Sequence, residues 1–275
     1  MARACPSEQS RRRWAATVIC RCDRMKGTLR SRRPRPTAPR TAEGVGGLLL
    51  TLGVELSPLR GRWPGSAIGR VIMAGANRAA VAAAAIGRID TWQQQHAPRA
   101  RAALRPPASE PDLVAAQEAV GQPLPPDLRA WWLYADGAHF GLQADGGWLI
   151  PPGFVPYPIA EALKSRRLWM DVAREVAPLD QWDDFVNSEN GRPAGTVCET
   201  WLPAWLPVAT NHGGGNLFVD LRGGPKNGCL MEFYRDAGAL AQPAWADVAD
   251  MLDDIADRLE ENEAELDDLG RIGWP

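Results

Sequence analysis

Histidine is scarce in this sequence: three residues, His96, His139 and His212, among 275. An imidazole-based acid/base pair has few places to form, and His96 falls in a terminal helix or its exit. The five cysteines, at 5, 20, 22, 198 and 229, are odd in number and show neither a CxxC pair nor a His/Cys cluster at zinc-ligand spacing. Nothing in that pattern points to a disulfide scaffold or a structural metal. Long apolar runs are missing as well. "RRRWAATVIC" is stopped by Arg21, Asp23 and Arg24, and "GVGGLLLTLGVEL" at 44–56 falls short of the roughly 20 apolar residues that a bilayer-crossing helix needs. Neither GxSxG nor GK[ST] occurs. The expectation is a soluble, reduced, cytoplasmic protein with no membrane partner.

What is present divides in two. The net charge of −2 hides an asymmetry: residues 1–72 carry 15 Lys/Arg against 4 Asp/Glu, and residues 73–275 carry 16 against 29. The first part is thus at +11 and the second at −13. Residues 1–72 are rich in Arg, Pro and Gly and show no sustained period of 3.6 or 2. "RSRRPRPTAPR" (30–40) cannot bury enough apolar surface to offset its ordering entropy. This part reads as a basic disordered extension, one that a start at Met73 would leave out, or as an arm for nucleic acid or an acidic membrane. Peptides from before Met73 in the native protein would decide between an alternative start and a retained arm.

From Met73 the pattern is regular, and a hydrophobic fraction of 45% is ample for a core. "RAAVAAAAIGRIDTWQQQ" places Val81, Ala85, Ile89 and Trp92 on one helical stripe. "ASEPDLVAAQEAVG" is a second helix, with Ser109 and Asp112 at capping-box spacing and Gly121 as its stop. "PLPPDLRAWWLYADG" starts a third at Pro125 or Pro126 and ends at Asp136-Gly137. Neighbours on a helix lie about 100° apart, so one of Trp131 and Trp132 is expected to point away from the core. "GGWLI" (146–150) reads as a strand and "YPIAEALKSRRLWMDVAREVA" as an inserted helix beginning near Pro158. Three further strands are expected at 205–211, 216–222 and 228–234, joined by glycine-rich turns. Trp245, Val248, Leu252, Ile255 and Leu259, spaced 3, 4, 3, 4, mark a terminal amphipathic helix. Helices at both ends of an antiparallel meander make an α+β fold.

The order "SEPDLVAAQEAVGQPLPPDLRAWWLYADG", "WLIPP", "WLPVATNHGGGNLFVDLRGGPKNGCLMEF" and a terminal amphipathic helix resembles the SUKH superfamily, whose founding branch is the SMI/KNR cell-wall-assembly regulators. The resemblance covers about residues 109–260. It implies an α+β fold with N-terminal helices, a central antiparallel or mixed meander and a C-terminal helix, with no known cofactor and no established catalytic role. For many bacterial members it implies immunity proteins that neutralise secreted polymorphic toxins, often nucleases or deaminases; for fungal relatives, scaffolds in cell-wall regulation. The domain organisation expected on this basis is an extension at 1–72, an Ala-rich helix and linker at 73–108, the SUKH domain at 109–262 and an acidic tail at 263–275.

Three features compete for the role of functional site. A phosphate loop runs from strand through glycines into a helix, whereas Gly213, Gly214 and Gly215 lead into "NLFVDLR", a strand by pattern; they read as the positive-φ residues of a hairpin. His212 and Asp220 are candidates for a hydrolytic pair, with Asn216, Phe218 and Asp220 on one face of that strand. The plainer reading is that His212 caps a turn and Asp220 hydrogen-bonds a neighbouring loop. Cys198 and Cys229 have no adjacent His. The acids of "DVADMLDDIADRLEENEAELDD", nearly without basic compensation, form either a solvated face and frayed tail or a field attracting a cationic partner. The expected function is a non-enzymatic protein-binding module, an immunity protein whose partner is a cationic toxin domain rather than nucleic acid. The alternatives are a regulatory scaffold and a hydrolase using His212 and Asp220. The candidate interaction surface comprises Trp132, Arg166, Arg167, Trp169, His212, Asp220, Asp253, Asp254 and Asp257.

Overall fold

Apolar residues at helical spacing in 82–92 and 248–259 bring the two terminal helices together on one side of a sheet. The computed structural model describes residues 67–139, 146–176 and 182–275, with 67–76 as backbone only. In chain order these contain α1 (Ala67–His96), α2 (Pro98–Ala102), α3 (Glu110–Val120), α4 (Pro126–Tyr134), β1 (Val155–Pro156), α5 (Ile159–Val176) and α6 (Trp182–Asn190). Then come β2 (Trp205–Thr210), β3 (Gly215–Asp220), β4 (Leu230–Tyr234), β5 (Gly238–Ala239), α7 (Val248–Glu260), β6 (Glu265–Leu266) and β7 (Ile272–Gly273). Strands β1 to β5 form one antiparallel sheet in sequential order, so the described fold is α+β. Residues 1–66, with the basic tract and both short apolar runs, lie outside the described residues. Helix α1 begins at Ala67, so its first turns precede Met73.

The helix ends follow local chemistry. Ser109 Oγ accepts from the Asp112 N–H while the Asp112 carboxylate accepts from the Ser109 N–H, closing the expected capping box. Gly121 ends α3 in the left-handed conformation, φ 69°. Helix α4 starts at Pro126 and is followed by Gly137, φ 66°.

Both faces of the sheet are covered. Leu206, Val208, Leu217, Val219 and Leu230 face the main core, shared with α1, α3, α4 and α7. Trp205, Phe218, Met231 and Phe233 face a second core built with Trp201, Leu202, Met170 and Ala173 of the 159–204 insert. Strands β2 and β3 are therefore buried along their whole length.

Four expectations change at this level. Val81 is 38% exposed, and the buried stripe of α1 is Ala82, Ala85, Ile86, Ile89 and Trp92. A run of i+4 steps drifts about 40° each, which carries Val81 off the edge of the stripe. Trp131 and Trp132 are both buried, because α4 packs against α1 and α7 while residues 104–108 run along its remaining side. Residues 146–150 make single bridges, Gly147 with Ile272 and Ile150 with Phe154, instead of a strand. The stretch read as an acidic tail folds back as the β6–β7 hairpin, with Ile272 buried in the main core.

Candidate functional site

The β2–β3 turn is organised by Asn211 and Thr210. Asn211 Oδ1 accepts from the N–H groups of Gly213 (2.9 Å) and Gly215 (2.8 Å), and Thr210 Oγ1 accepts from the His212 N–H (3.1 Å). Of the three glycines only Gly214 has positive φ, 93°, while His212 itself adopts φ 55°. Gly215 serves close approach instead: a Cβ there would meet Asn211 Nδ2 at 2.5 Å. The His212 backbone takes part in the turn through its left-handed conformation and its N–H to Thr210. Its ring meets Trp148 edge-on, with centroids 5.9 Å apart, and burial pulls its pKa below the ordinary histidine value.

Asp220 lies at the other end of β3. The register pairs Thr210 with Asn216 beside the turn and Trp205 with Asp220 far from it. Five residues of strand, roughly 17 Å at 3.4 Å per residue, separate the turn from Asp220. His212 and Asp220 are not brought together. Asp220 instead accepts from Arg222 Nη2 at 2.7 Å and Nε at 3.0 Å, and from the Gly195 N–H at 2.9 Å; both charged side chains have no exposed surface. Arg222 also donates to the carbonyls of Glu189 and Thr196 and lies 5.4 Å from the Trp205 ring centroid. This network fastens the insert to the sheet. On the same face Asn216 Oδ1 accepts from Tyr157 Oη and Ser165 Oγ, both at 3.1 Å. The half-polar face of β3 is thus spent on internal hydrogen bonds, in keeping with Asp220 bonding a neighbouring loop.

A second network involves a residue the sequence did not single out. Asp127, fully buried in α4, accepts from the Ala249 N–H at the start of α7 and from Arg78 Nη2 of α1, both at 3.1 Å. Arg78 Nε lies 3.0 Å from Asp247 Oδ2, within charge contact. Asp247 in turn caps α7 by accepting from the Asp250 N–H. Three helices therefore meet at two carboxylates and one guanidinium. The only mark of Asp127 in the sequence is "LPPDL", an acid in the first turn of an apolar helix, a place that the helix dipole favours in any case.

The surface candidates separate into two regions. On α5, Arg167 is exposed, while Arg166 donates to the Pro203 carbonyl at 2.6 Å and Trp169 packs against Trp201 and Phe233. Burial lowers the Arg166 pKa. Beside them Leu168 (61% exposed), Val172 (37%) and Val176 (59%) form an outward stripe at i, i+4, i+8. That stripe lies inside a stretch that the sequence pattern marks only as an inserted helix. On α7, Asp253, Asp257 and Glu260 converge on Arg88 of α1, and Asp254 accepts from Trp245 Nε1 and Arg258 Nε. The hydrogen bonds that Arg88 donates to Glu260 and Asp257 raise its pKa. The expected lack of basic compensation is corrected: distant sequence supplies it. Trp132 belongs to the core and leaves the candidate surface.

Among the described residues no group of three or more His, Cys, Asp or Glu is placed to hold a metal ion, and no helix is long and apolar enough to cross a membrane. Cys198 and Cys229 are buried thiols, the latter with its pKa pushed up to about 11 by desolvation.

Comparison with known proteins agrees with this architecture. A curated relative, the cell wall biosynthesis/cell cycle regulator smi1 of Schizosaccharomyces pombe, is 29% identical over 169 residues, which are 58% of this chain and 33% of the relative. The chain spans about a third of that relative's length. The family model for SMI1 / KNR4 (SUKH-1) matches residues 107–254, from the segment before α3 into α7. More than half of the chain lies within that match, and the chain belongs to the SMI1/KNR4 family (SUKH-1).

Proposed function

We propose that this chain is a non-catalytic protein-binding module that acts in the cytoplasm as an immunity protein, neutralising a secreted polymorphic toxin of nuclease or deaminase type. The observation that carries the binding reading is the outward stripe of Leu168, Val172 and Val176 on the insert, since neighbouring large apolar side chains left in water favour a protein partner. The excess of acids after residue 72 supports a cationic partner, and nuclease domains are cationic because they bind phosphate backbones. The hydrolase alternative loses support because Asp220 is consumed by Arg222. Co-expression with toxin domains encoded beside this gene tests the proposal. Protection, weakened at least tenfold by Leu168→Asp with Val172→Asp while the fold is retained, is the expected result. Absence of protection together with pull-downs free of any toxin domain would sink it.

A second reading, an interaction scaffold in regulation, is favoured by the fission yeast relative, whose name describes a regulator of cell wall biosynthesis and the cell cycle. Partners recovered only from host regulatory machinery would select it over immunity.

A further inference from the structure

The C-terminal hairpin is seated on the domain as an added strand would be. The Ile272 N–H donates to the Gly146 carbonyl at 3.1 Å, and the Ile272 carbonyl accepts from the Trp148 N–H at 2.7 Å, a parallel bridge centred on Gly147. Trp274 Nε1 donates to the Trp148 carbonyl at 2.7 Å. Both glycines are needed for this approach. A Cβ at 147 would lie 2.1 Å from the Ile272 carbonyl oxygen, and one at 146 would lie 2.9 Å from Ala103 Cβ. Residues 146–148 are thus pressed between the end of α2 and Ile272, whose side chain is 1% exposed in the main core.

Most of the rest of the hairpin faces solvent, with Ala264 and Trp274 packed at the edge of the main core. Both residues of β6 are exposed, as is Leu269, and the Asp267–Arg271 ion pair lies within the hairpin itself. The hairpin also lies beyond residues 107–254, the region shared with the family.

We propose that Gly146-Gly147-Trp148 is the acceptor of a peptide-binding seat, filled here by the chain's own Ile272-Gly273-Trp274 as an intramolecular ligand. Its external occupant is an extended segment of a partner protein carrying an aliphatic residue and, two positions later, an aromatic hydrogen-bond donor. Residues two apart on a strand project to the same side, so Ile272 and Trp274 face the body together. Main-chain bonds supply the affinity of such strand addition, and the side-chain seats supply the selection. A tethered ligand competes at an effective concentration in the millimolar range, so an outside segment enters once the latch is loosened. The seat does not depend on the identity of the partner proposed above.

The test uses the full chain and a fluorescent peptide of residues 268–275. Chain carrying Ile272→Asp is expected to bind the peptide at least tenfold tighter than the unaltered chain, and Trp274→Ala to give a smaller gain. A peptide bearing the same Asp should bind neither chain. Amide exchange should quicken at Trp148 while β2 to β4 stay protected. A protected Ile272→Asp chain that fails to bind the peptide overturns the proposal. So does loss of protection across β2 to β4 in both variants, which would make the hairpin an integral part of the core.

Discussion

Asp220 and Arg222, two positions apart at the end of β3, form a fully buried ion pair whose other hydrogen bonds hold the loop at 195–196 and the end of α6 against the sheet. A buried pair of this kind contributes little net stability relative to apolar replacements, yet loss of one partner strands the other charge. Asp220→Ala should therefore cost about 3–5 kcal/mol in urea unfolding. Arg222→Met combined with Asp220→Leu should recover much of that loss. His212→Ala, at the opposite end of the strand, should lie within about 0.5 kcal/mol of the unaltered chain. Equal losses from Asp220→Ala and His212→Ala would contradict the separation of these residues into independent networks.

Asp127 acts on α7 from a helix more than a hundred residues away. Asp127→Ala removes the acceptor of the Ala249 N–H and leaves Arg78 with Asp247 alone. A loss of about 1–3 kcal/mol follows from a buried donor left without its acceptor. Amide exchange at Ala249 should accelerate more than that of β3, which a general loosening of the fold would not produce.

Gly137 marks the end of the "LPPDLRAWWLYADG" stretch for a steric reason. Its φ is 66°, and a Cβ there would come within 2.3 Å of the Tyr157 carbonyl carbon, in backbone that cannot swing away. Gly137→Ala should destabilise the chain by more than about 1 kcal/mol, read as a lowered denaturation midpoint. Gly87→Ala, on the exposed face of α1 with nothing within 4 Å, is the control and should stabilise slightly.

His212 supplies a pH dependence of definite sign. Burial lowers its pKa from the ordinary 6.5, so the folded chain takes up this proton less readily than the unfolded one. Its contribution to stability is complete above 6.5 and is lost as pH falls through the lower folded value. Imidazole resonances in an NMR titration should show a midpoint below 6.5 for His212. A midpoint at or above 6.5 would falsify the desolvation by its surroundings, and His212→Gln should flatten the stability profile between pH 7 and 5.

Much of the fold is legible from local rules. Ser109 and Asp112 stand at capping-box spacing, and Gly121 and Gly137 stand where helices must stop. The spacing of Val248, Leu252, Ile255 and Leu259 needs no neighbour to declare a buried stripe. The strands at 205–210, 215–220 and 230–234 lie within two residues of their expected bounds because alternation and glycine turns are properties of the chain itself. The 146–150 stretch shows the limit: its partner is Ile272, and a run of apolar residues does not say whether a strand lies beside it.

The candidate site was harder to read, because each error concerned what lies across from a residue. Trp132 was placed on the surface by counting angles around one helix, whereas α4 is wrapped on several sides. The acids of α7 looked uncompensated because Arg88 stands more than 160 positions earlier. The fate of Asp220 was partly visible, since Arg222 is two residues away, but a shared face in the sequence does not report that both are dry.

Taken alone, the sequence determined most helix ends and the hairpin at 211–214, which rest on interactions within about a dozen residues, and the α+β class and the family, which rest on the order of such segments along the chain. Tertiary structure decided which polar residues are structural. Burial and long-range pairing turn Asp220 and Asp127 into fasteners, leave Leu168, Val172 and Val176 outside, and seat Ile272 on Gly147. The physical reason is that the energy of a polar or apolar side chain depends on the medium around it, and that medium is assembled from chain segments far apart in sequence.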